Sequence, residues 1–355
     1  MYRARRRRLL RRAVLAPLLC AAAFAATGKL INATPGLPQN GVPSSRNGAS
    51  NRDRTFLSSV TWPQQGQAAL VLGDDRAASP HEEAVPIASL AKVMTAYLTL
   101  ERYPLRGSQD GFTITITQAE AQAQAEDAAE DQSDVAVTTG EQLTERQLLE
   151  ALLVPSANNI AQILATDVAG SETGFVSEMN TQAHELGMDH TIYTDPSGFE
   201  PSTVSTAADQ LRVFRRAMRF AVFRQIVSMP SVTLPVAGTL ANFNPLIGEG
   251  YSGKTGSDSA AGGCLAFFAH LTVGGRLRTA TGVVLGQGQG SNTPALLAAA
   301  AAAAQRLVAS VAPAARVRTA VPGAATGEFG QSPAVPDRYP RLRVRRGRFA
   351  RIDAP

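Results

Sequence analysis

The segment PIASLAKVMTAYLTLE, Pro86 to Glu101, constrains this chain more than any other stretch. Leu90, Val93, Met94, Tyr97 and Leu98 recur at i, i+3, i+4, i+7 and i+8, the stripe of a helix laid against a core. Pro86 cannot extend a helix backwards, so the spacing predicts a helix that begins close to Ser89. Ser89 and Lys92, three residues apart, share one side of its first turn, off the apolar stripe. A serine hydroxyl is a poor nucleophile until a base takes its proton, and a desolvated lysine can be that base. Taken alone the pattern is short and common, and a capping serine beside a solvated lysine is its simpler explanation. The rest of the chain decides between them.

The formal charge of +5 misleads. Seven arginines lie in Arg3–Arg12 and seven in Arg338–Arg351, and neither segment holds an acid. Without them 20 of the 34 basic residues face all 29 acidic ones, a body of about −9. A body of that sign is excluded as a nucleic-acid binder by electrostatics. Its 355 residues are ample for a sizeable core.

The first 26 residues carry an arginine-rich start, an apolar run from about Ala13 and Ala23-Phe24-Ala25 as a small-x-small cleavage site. That run is shorter than the ~20 residues of a spanning helix, which favours a cleaved signal over an anchor and predicts export. Cys20 leaves with the signal, and Cys264 then stands without an intramolecular disulfide partner. Residues 27–54, rich in Pro, Gly, Asn and Ser, read as a linker. A body over 55–312 follows. Residues 313–355 form a low-complexity tail whose Arg338–Arg351 stretch offers contact to anionic lipid headgroups or wall polymers. A solvated tail is the simpler alternative.

Within the body, Gln67–Asp75 reads as a strand and Phe112–Thr117 as another. Ala119–Ser133 is acidic and alanine-rich, an exposed helix or loop. Thr144-Glu145-Arg146-Gln147 is a capping-box pattern that opens a helix through Leu152 and Leu153. Pro155 breaks it, a second helix resumes through Ile160 and Leu164, and Ser156-Ala157-Asn158 falls at the turn between them. Phe175, Met179, Ala183 and Leu186 mark a helix stopped by Gly187, and Thr206–Val222 reads as one amphipathic helix. From about Ser228 the pattern becomes β, through VTLPV, YSGKTG, CLAFFAHL and TATGVVLG, before a closing helix over Ala295–Val311. The order predicts an α/β (α+β) fold, with a mixed sheet assembled from both chain ends and flanked by helices.

Three short motifs occur in one order: Ser89-Leu90-Ala91-Lys92, Ser156-Ala157-Asn158 and Lys254-Thr255-Gly256. That trio is shared by serine β-lactamases and penicillin-binding proteins. With PIASLAKVMTA, GEQLTERQLLEALLVPSANN, MNTQAHELGMDHTIYTDPSGF and GYSGKTGSDSAAGGCLAFFA around them, residues from about Thr55 to Leu307 resemble the low-molecular-weight D-alanyl-D-alanine carboxypeptidases of peptidase family S11. Gly248 to Thr255 also satisfies the phosphate-loop pattern G-x-x-x-x-G-K-[ST]. A phosphate loop must follow a strand and open a helix. Here a poor strand precedes it and a β-like segment follows, so the match is accidental.

The resemblance implies a β-lactamase/transpeptidase-like fold, an antiparallel sheet with a helical subdomain, and a serine-type D-Ala-D-Ala carboxypeptidase acting on peptidoglycan stem peptides. It implies Ser89 as nucleophile, Lys92 as its base and Ser156 as proton relay to the leaving group. Asn158 then orients Lys92 and the substrate amide, Lys254 supplies positive charge and helps keep Lys92 neutral, Thr255 hydrogen-bonds the C-terminal carboxylate, and Gly256 permits close approach. The backbone N–H groups of Ser89 and Ser257 form the oxyanion hole. β-Lactams are then covalent inhibitors, no cofactor or metal is needed, and the setting is the periplasm or outer wall, with membrane association left open. The histidines (His81, His184, His190, His270) lack metal-ligand spacing and read as structural. Ala157 departs from the family's usual Gly, and Ser257-Asp258 leave substrate preference open. The alternatives are a β-lactamase, against which the lack of E-x-x-L-N between Asn158 and Lys254 argues, a transpeptidase that uses the same residues with an amine acceptor and that the sequence does not separate from a carboxypeptidase, and an inactive wall-binding scaffold.

Overall fold

The computed structural model describes residues 59–128, 132–273, 275–312 and 316–318. The stretches read as signal (1–26) and linker (27–54), and the Arg338–Arg351 part of the stretch read as tail, lie outside the described residues.

The strands β1 (Gln67–Leu72), β2 (Asp75–Ala78), β9 (Tyr251–Asp258), β10 (Gly262–Val273), β11 (Arg276–Gln287) and β12 (Arg316–Val317) form one sheet, and the short strands between them pair two by two: β3 (Val85–Pro86) with β6 (Val204–Ser205), β4 (Thr113–Thr115) with β5 (Gln142–Thr144) and β7 (Ser231–Leu234) with β8 (Gly238–Ala241). Its order is β12-β10-β11-β1-β2, with β9 also paired to β10, and every pairing is antiparallel. Both ends of the described body therefore meet in one sheet, as the strand-helix-strand order predicts. β12 lies beyond residue 312, so sheet structure continues into the first residues of the stretch read as tail.

All six residues of β1 are buried, because the sheet is covered on both faces. Side chains alternate between faces along a strand. Ala69 and Val71 join Cys264, Ala266 and Phe268 of β10 in the larger core, shared with the helical part. Leu70 and Leu72 join Leu265, Phe267 and Leu271 under α8 (Thr293–Val311), the predicted closing helix. That helix is long and apolar enough to cross a membrane by length and composition, yet its Leu296, Ala300, Ala304 and Leu307 are buried against the sheet.

The helical part is centred on α1 (Lys92–Arg102), preceded by a 3-10 turn over Ala88–Ala91. The expected stripe is buried, but so is every residue from Lys92 to Leu100. The helix is wrapped rather than laid on a surface. Its buried hydroxyls are satisfied: Thr95 donates to Pro196 O of a distant loop at 2.6 Å and Thr99 to Thr95 O within the helix at 2.9 Å.

Around α1 pack α3 (Glu145–Leu153), α4 (Asn158–Ala169) and α5 (Glu172–Glu185). The Thr144 capping box forms as the sequence predicts, with Thr144 and Gln147 bonding reciprocally at 3.3 and 3.0 Å. Residues 118–128 form the exposed helix α2 (Gln118–Ala128). Thr206–Val222 is not one helix: α6 (Ala207–Ala217) ends before Met218, and α7 (Ala221–Ile226) starts anew after an extended Phe220 (φ −76°, ψ 122°). The reason is tertiary. The turn sets the Phe220 ring against Tyr97, centroids 6.2 Å apart.

Candidate active site

Ser89 lies inside the 3-10 turn and Lys92 opens the α-helix that follows. The helix does not start at Ser89, and the difference matters. In a 3-10 turn, side chains at i and i+3 eclipse one another, and here Lys92 Nζ lies 2.9 Å from Ser89 Oγ. Two short strands, β3 (Val85–Pro86) and β6 (Val204–Ser205), pair antiparallel and fix the chain that enters the turn. Ala88 has φ +45°, an uncommon value for a residue with a side chain.

Lys92 is fully buried, and its amine donates to Ser89 Oγ, Asn158 Oδ1 at 2.6 Å and Ser197 O at 3.0 Å. Burial pulls it down from the ordinary lysine range to about 7, while Asp195 and Asp134 act in the opposite direction. A neutral amine at that position has a lone pair for the Ser89 proton.

Ser156 and Asn158 come from the turn that Pro155 makes between α3 and α4. Ser156 is the second residue with a side chain at positive φ, +66°. The described residues thus hold two such positions, and both lie at this site, where strain of about 1–3 kcal/mol each has to be held by the surroundings. Asn158 is the first residue of α4, and three contacts fix it: Lys92, Gln132 Oε1 at 2.9 Å through Nδ2, and Ser133 O at 2.7 Å through its backbone N–H. The next residue, Asn159, exchanges hydrogen bonds with the Val135 backbone and takes Asp134 Oδ1 on its own N–H.

Lys254 reaches in from β9, 1% exposed, and donates to Ser156 Oγ at 2.8 Å and Thr255 O at 2.7 Å. Burial first, and the Lys92 charge second, push it well below the ordinary lysine range. Among the described residues neither lysine has an ion-pair partner within 4 Å. β9 lies directly against the serine turn at Gly256, where a Cβ would stand 3.0 Å from Ile87 O and 3.1 Å from the Leu90 nitrogen. Thr255 is buried and Ser257 half-buried, next along the strand. The geometry therefore brings together two hydrogen-bonded sets, Ser89–Lys92–Asn158 and Ser156–Lys254, near enough for the Lys92 charge to act on Lys254, with Thr255, Gly256 and Ser257 along β9 on the flank. Among the described residues no group of three His, Cys, Asp or Glu side chains is placed to hold a metal ion.

The sequence did not point to the backbone of Ser197 on Lys92, or to the irregular segment Gln132–Val135 that holds Asn158 and Asn159. The first had a signal in Asp195-Pro196-Ser197-Gly198, a turn-forming combination. The second had none, because an irregular segment without apolar alternation carries no period.

An antiparallel sheet over a helical part, with a serine-lysine pair between them, defines the penicillin-binding and transpeptidase fold. A solved Streptomyces K15 DD-transpeptidase superposes with a TM-score of 0.59 at 25% identity, over 71% of this chain and 99% of that one. The family model for D-alanyl-D-alanine carboxypeptidase matches residues 76–287. The chain belongs to that family, peptidase S11. Among curated relatives it is similar to the Mycobacterium tuberculosis D-alanyl-D-alanine carboxypeptidase DacB2, 34% identical over 185 residues, 50% of this chain and 59% of the relative. It is similar as well to a Pseudomonas aeruginosa D-alanyl-D-alanine endopeptidase, 32% identical over 191 residues, 51% of this chain and 58% of the relative. The aligned part spans a little under two thirds of those relatives' lengths.

Proposed function

We propose that this chain is an exported serine D-Ala-D-Ala carboxypeptidase that removes the terminal D-Ala from peptidoglycan stem peptides. The observation that carries the reading is the 2.9 Å contact between Ser89 Oγ and a buried Lys92 amine drawn down to about 7. A surface lysine, protonated at neutral pH, could not act as base there.

Ser89 Oγ attacks the carbonyl carbon of the penultimate D-Ala while Lys92 takes the hydroxyl proton. The oxyanion is met by the backbone N–H groups of Ser89 and Ser257, each donor worth about 10²–10³ in rate. Ser156 relays that proton from Lys92 to the nitrogen of the terminal D-Ala, the C–N bond breaks, D-Ala leaves, and Lys92 is neutral again. Water then attacks the Ser89 ester with Lys92 again as base, freeing the shortened peptide. Asn158 holds Lys92 toward Ser89. Lys254 and Thr255 receive the substrate's terminal carboxylate, which supplies the counter-charge Lys254 otherwise lacks. β-Lactams acylate the same oxygen.

The endopeptidase relative gives a second reading: the same acyl-enzyme formed from a cross-linked peptide, with a peptide amine as leaving group. For the rest of the chain we propose a signal over 1–26, a linker over 27–54 and a basic tail that meets lipid headgroups or wall polymers. The test is intact mass over time after adding a β-lactam, to the chain and to Ser89→Ala. A slowly decaying adduct on the parent only supports the acyl-enzyme. Release of D-Ala from a pentapeptide supports the carboxypeptidase, and release of a cross-linked strand the endopeptidase. Rapid drug turnover indicates a β-lactamase, and a folded parent without adduct indicates a scaffold.

A further inference from the structure

We propose that Asp195 is a positioning residue of the acylation site, whose carboxylate folds residues 195–203 into a clamp that seats the Ser197 carbonyl on Lys92 and the Gly198 backbone on Ala88. The proposal rests on the acyl-enzyme reading above.

The carboxylate is only 6% exposed and accepts five hydrogen bonds. Oδ2 takes the N–H groups of Ser197 (3.1 Å), Gly198 (2.7 Å) and Phe199 (3.0 Å) and the Ser197 hydroxyl (2.6 Å). Oδ1 takes the Thr203 hydroxyl at 2.6 Å, which closes the loop on itself. Three successive backbone N–H groups converging on one oxygen fix the peptide planes between them, and so fix where the intervening carbonyls point.

Those carbonyls meet the helix that carries the base. Pro196 O accepts from Thr95 at 2.6 Å and Ser197 O from Lys92 at 3.0 Å. The loop's far end is tied to the same place, since Thr203 O accepts from Ile87 N at 3.3 Å. Between them sits Gly198 at φ +79°, where a Cβ would lie 1.8 Å from Ala88 O. Ala88 is the residue at φ +45° that precedes the nucleophile. The clamp therefore touches the Lys92 amine through Ser197 O and the residue before the nucleophile through Gly198, while the Asp195 carboxylate itself bonds to neither Ser89 nor Lys92.

Charge gives a readout that a merely structural loop would not move. The titratable groups that bear on Lys92 are Asp195 and Asp134, which favour its ammonium form, with Lys254 opposed across the site. Glu172 in turn feels Asp195. Asp195→Asn keeps the shape: its Oδ1 can face the four donors while Nδ2 donates to Thr203. It removes only the negative charge, so Lys92 loses its proton more readily.

The experiment measures acylation by a fluorescent penicillin against pH, with amide hydrogen exchange of residues 197–199, for the full chain and Asp195→Asn, Asp195→Ala and Thr203→Val. We expect the acid limb of Asp195→Asn to move to lower pH with its plateau kept within a few fold. We expect Asp195→Ala to lose about a hundredfold in acylation and the slow exchange of the Gly198 and Phe199 amides. Thr203→Val should fall between. An unmoved acid limb in Asp195→Asn, or an Asp195→Ala variant that acylates and exchanges like the parent, overturns the proposal alone. Should Asp195→Ala fail to fold, Asp195→Asn and Thr203→Val decide it. A parent that acylates no β-lactam at any pH overturns the acyl-enzyme reading and the Asp195 proposal with it.

Discussion

Lys92 Nζ stands 2.9 Å from Ser89 Oγ and divides its remaining contacts between Asn158 Oδ1 and Ser197 O, all supplied by different parts of the chain. In the neutral amine, Asn158 and Ser197 take the two N–H groups and the lone pair is left for the serine hydroxyl. Protonation uses up the lone pair that the serine needs, so the active form is the deprotonated one. With the amine near 7, acylation should be flat above neutrality and fall about tenfold per pH unit well below it. Lys92→Arg, charged at every accessible pH, should lose about 10²–10⁴ in acylation rate with no recovery up to pH 9. A pH–rate profile on both proteins checks the two outcomes together.

Asn158 tests the same balance from the other side. Asn158→Asp places a carboxylate where Oδ1 now lies 2.6 Å from Lys92, and an opposite charge favours the ammonium. The acid limb should therefore move to higher pH, the reverse of the shift expected for Asp195→Asn. At pH 7 the variant should be well below the parent and should recover part of the loss by pH 9. The same carboxylate no longer donates to Gln132, so recovery stays incomplete.

How much of this was open to sequence reasoning follows from what each residue is held by. Ser89 and Lys92 were legible because a local period carries them, and Ser156 and Asn158 because Pro155 punctuates two apolar helices. Lys254 was legible as part of a strand. The sequence spacing located the serine turn but not its 3-10 form, which depends on the packing of Gly198 and Gly256 against it. The contact of Ser197 with Lys92 joins positions 105 apart and is made by a backbone carbonyl, which has no residue signature. The break between α6 and α7 was equally hidden, because Phe220 turns to meet Tyr97 and the apolar spacing runs on through it.

Gly256 gives a steric test of the sheet's hold on the nucleophile. A Cβ there meets Ile87 O and Leu90 Cδ1 at 3.0 Å and Leu90 N at 3.1 Å, tighter than ordinary contact on atoms of the serine turn. Gly256 is not in the left-handed region, so Gly256→Ala carries no backbone strain. The turn or β9 must instead give by a few tenths of an ångström. Acylation should fall about ten- to a hundredfold. The loss of stability should stay near 1–2 kcal/mol, within the range for modest overpacking. Penicillin acylation and urea denaturation, measured side by side, separate the two. A large stability loss with intact acylation would show that β9 yields and the turn does not.

Glu145 carries a prediction about stability alone. It opens α3 with 1% of its surface exposed, and its Oε1 is buried without a hydrogen-bond partner. Desolvation raises its carboxyl from the usual range to about 7, against the hydrogen bond that the carboxylate accepts from the Phe112 backbone N–H and the nearby Arg146 charge, which lower it. A carboxyl raised on folding binds its proton more tightly in the native state, so stability is greatest below the unfolded value near 4.5. It is lost as pH rises to about 7 and stays lost above. Glu145→Gln removes that titration while keeping the shape. The variant should match the parent at pH 4 and exceed it at pH 8 by on the order of 1 kcal/mol, solvent screening having been allowed for. Thermal unfolding at the two pH values is the measurement, and an advantage confined to low pH would contradict the sign. Acylation by a β-lactam should be unchanged, because Glu145 shares no hydrogen bond with the Ser89 cluster.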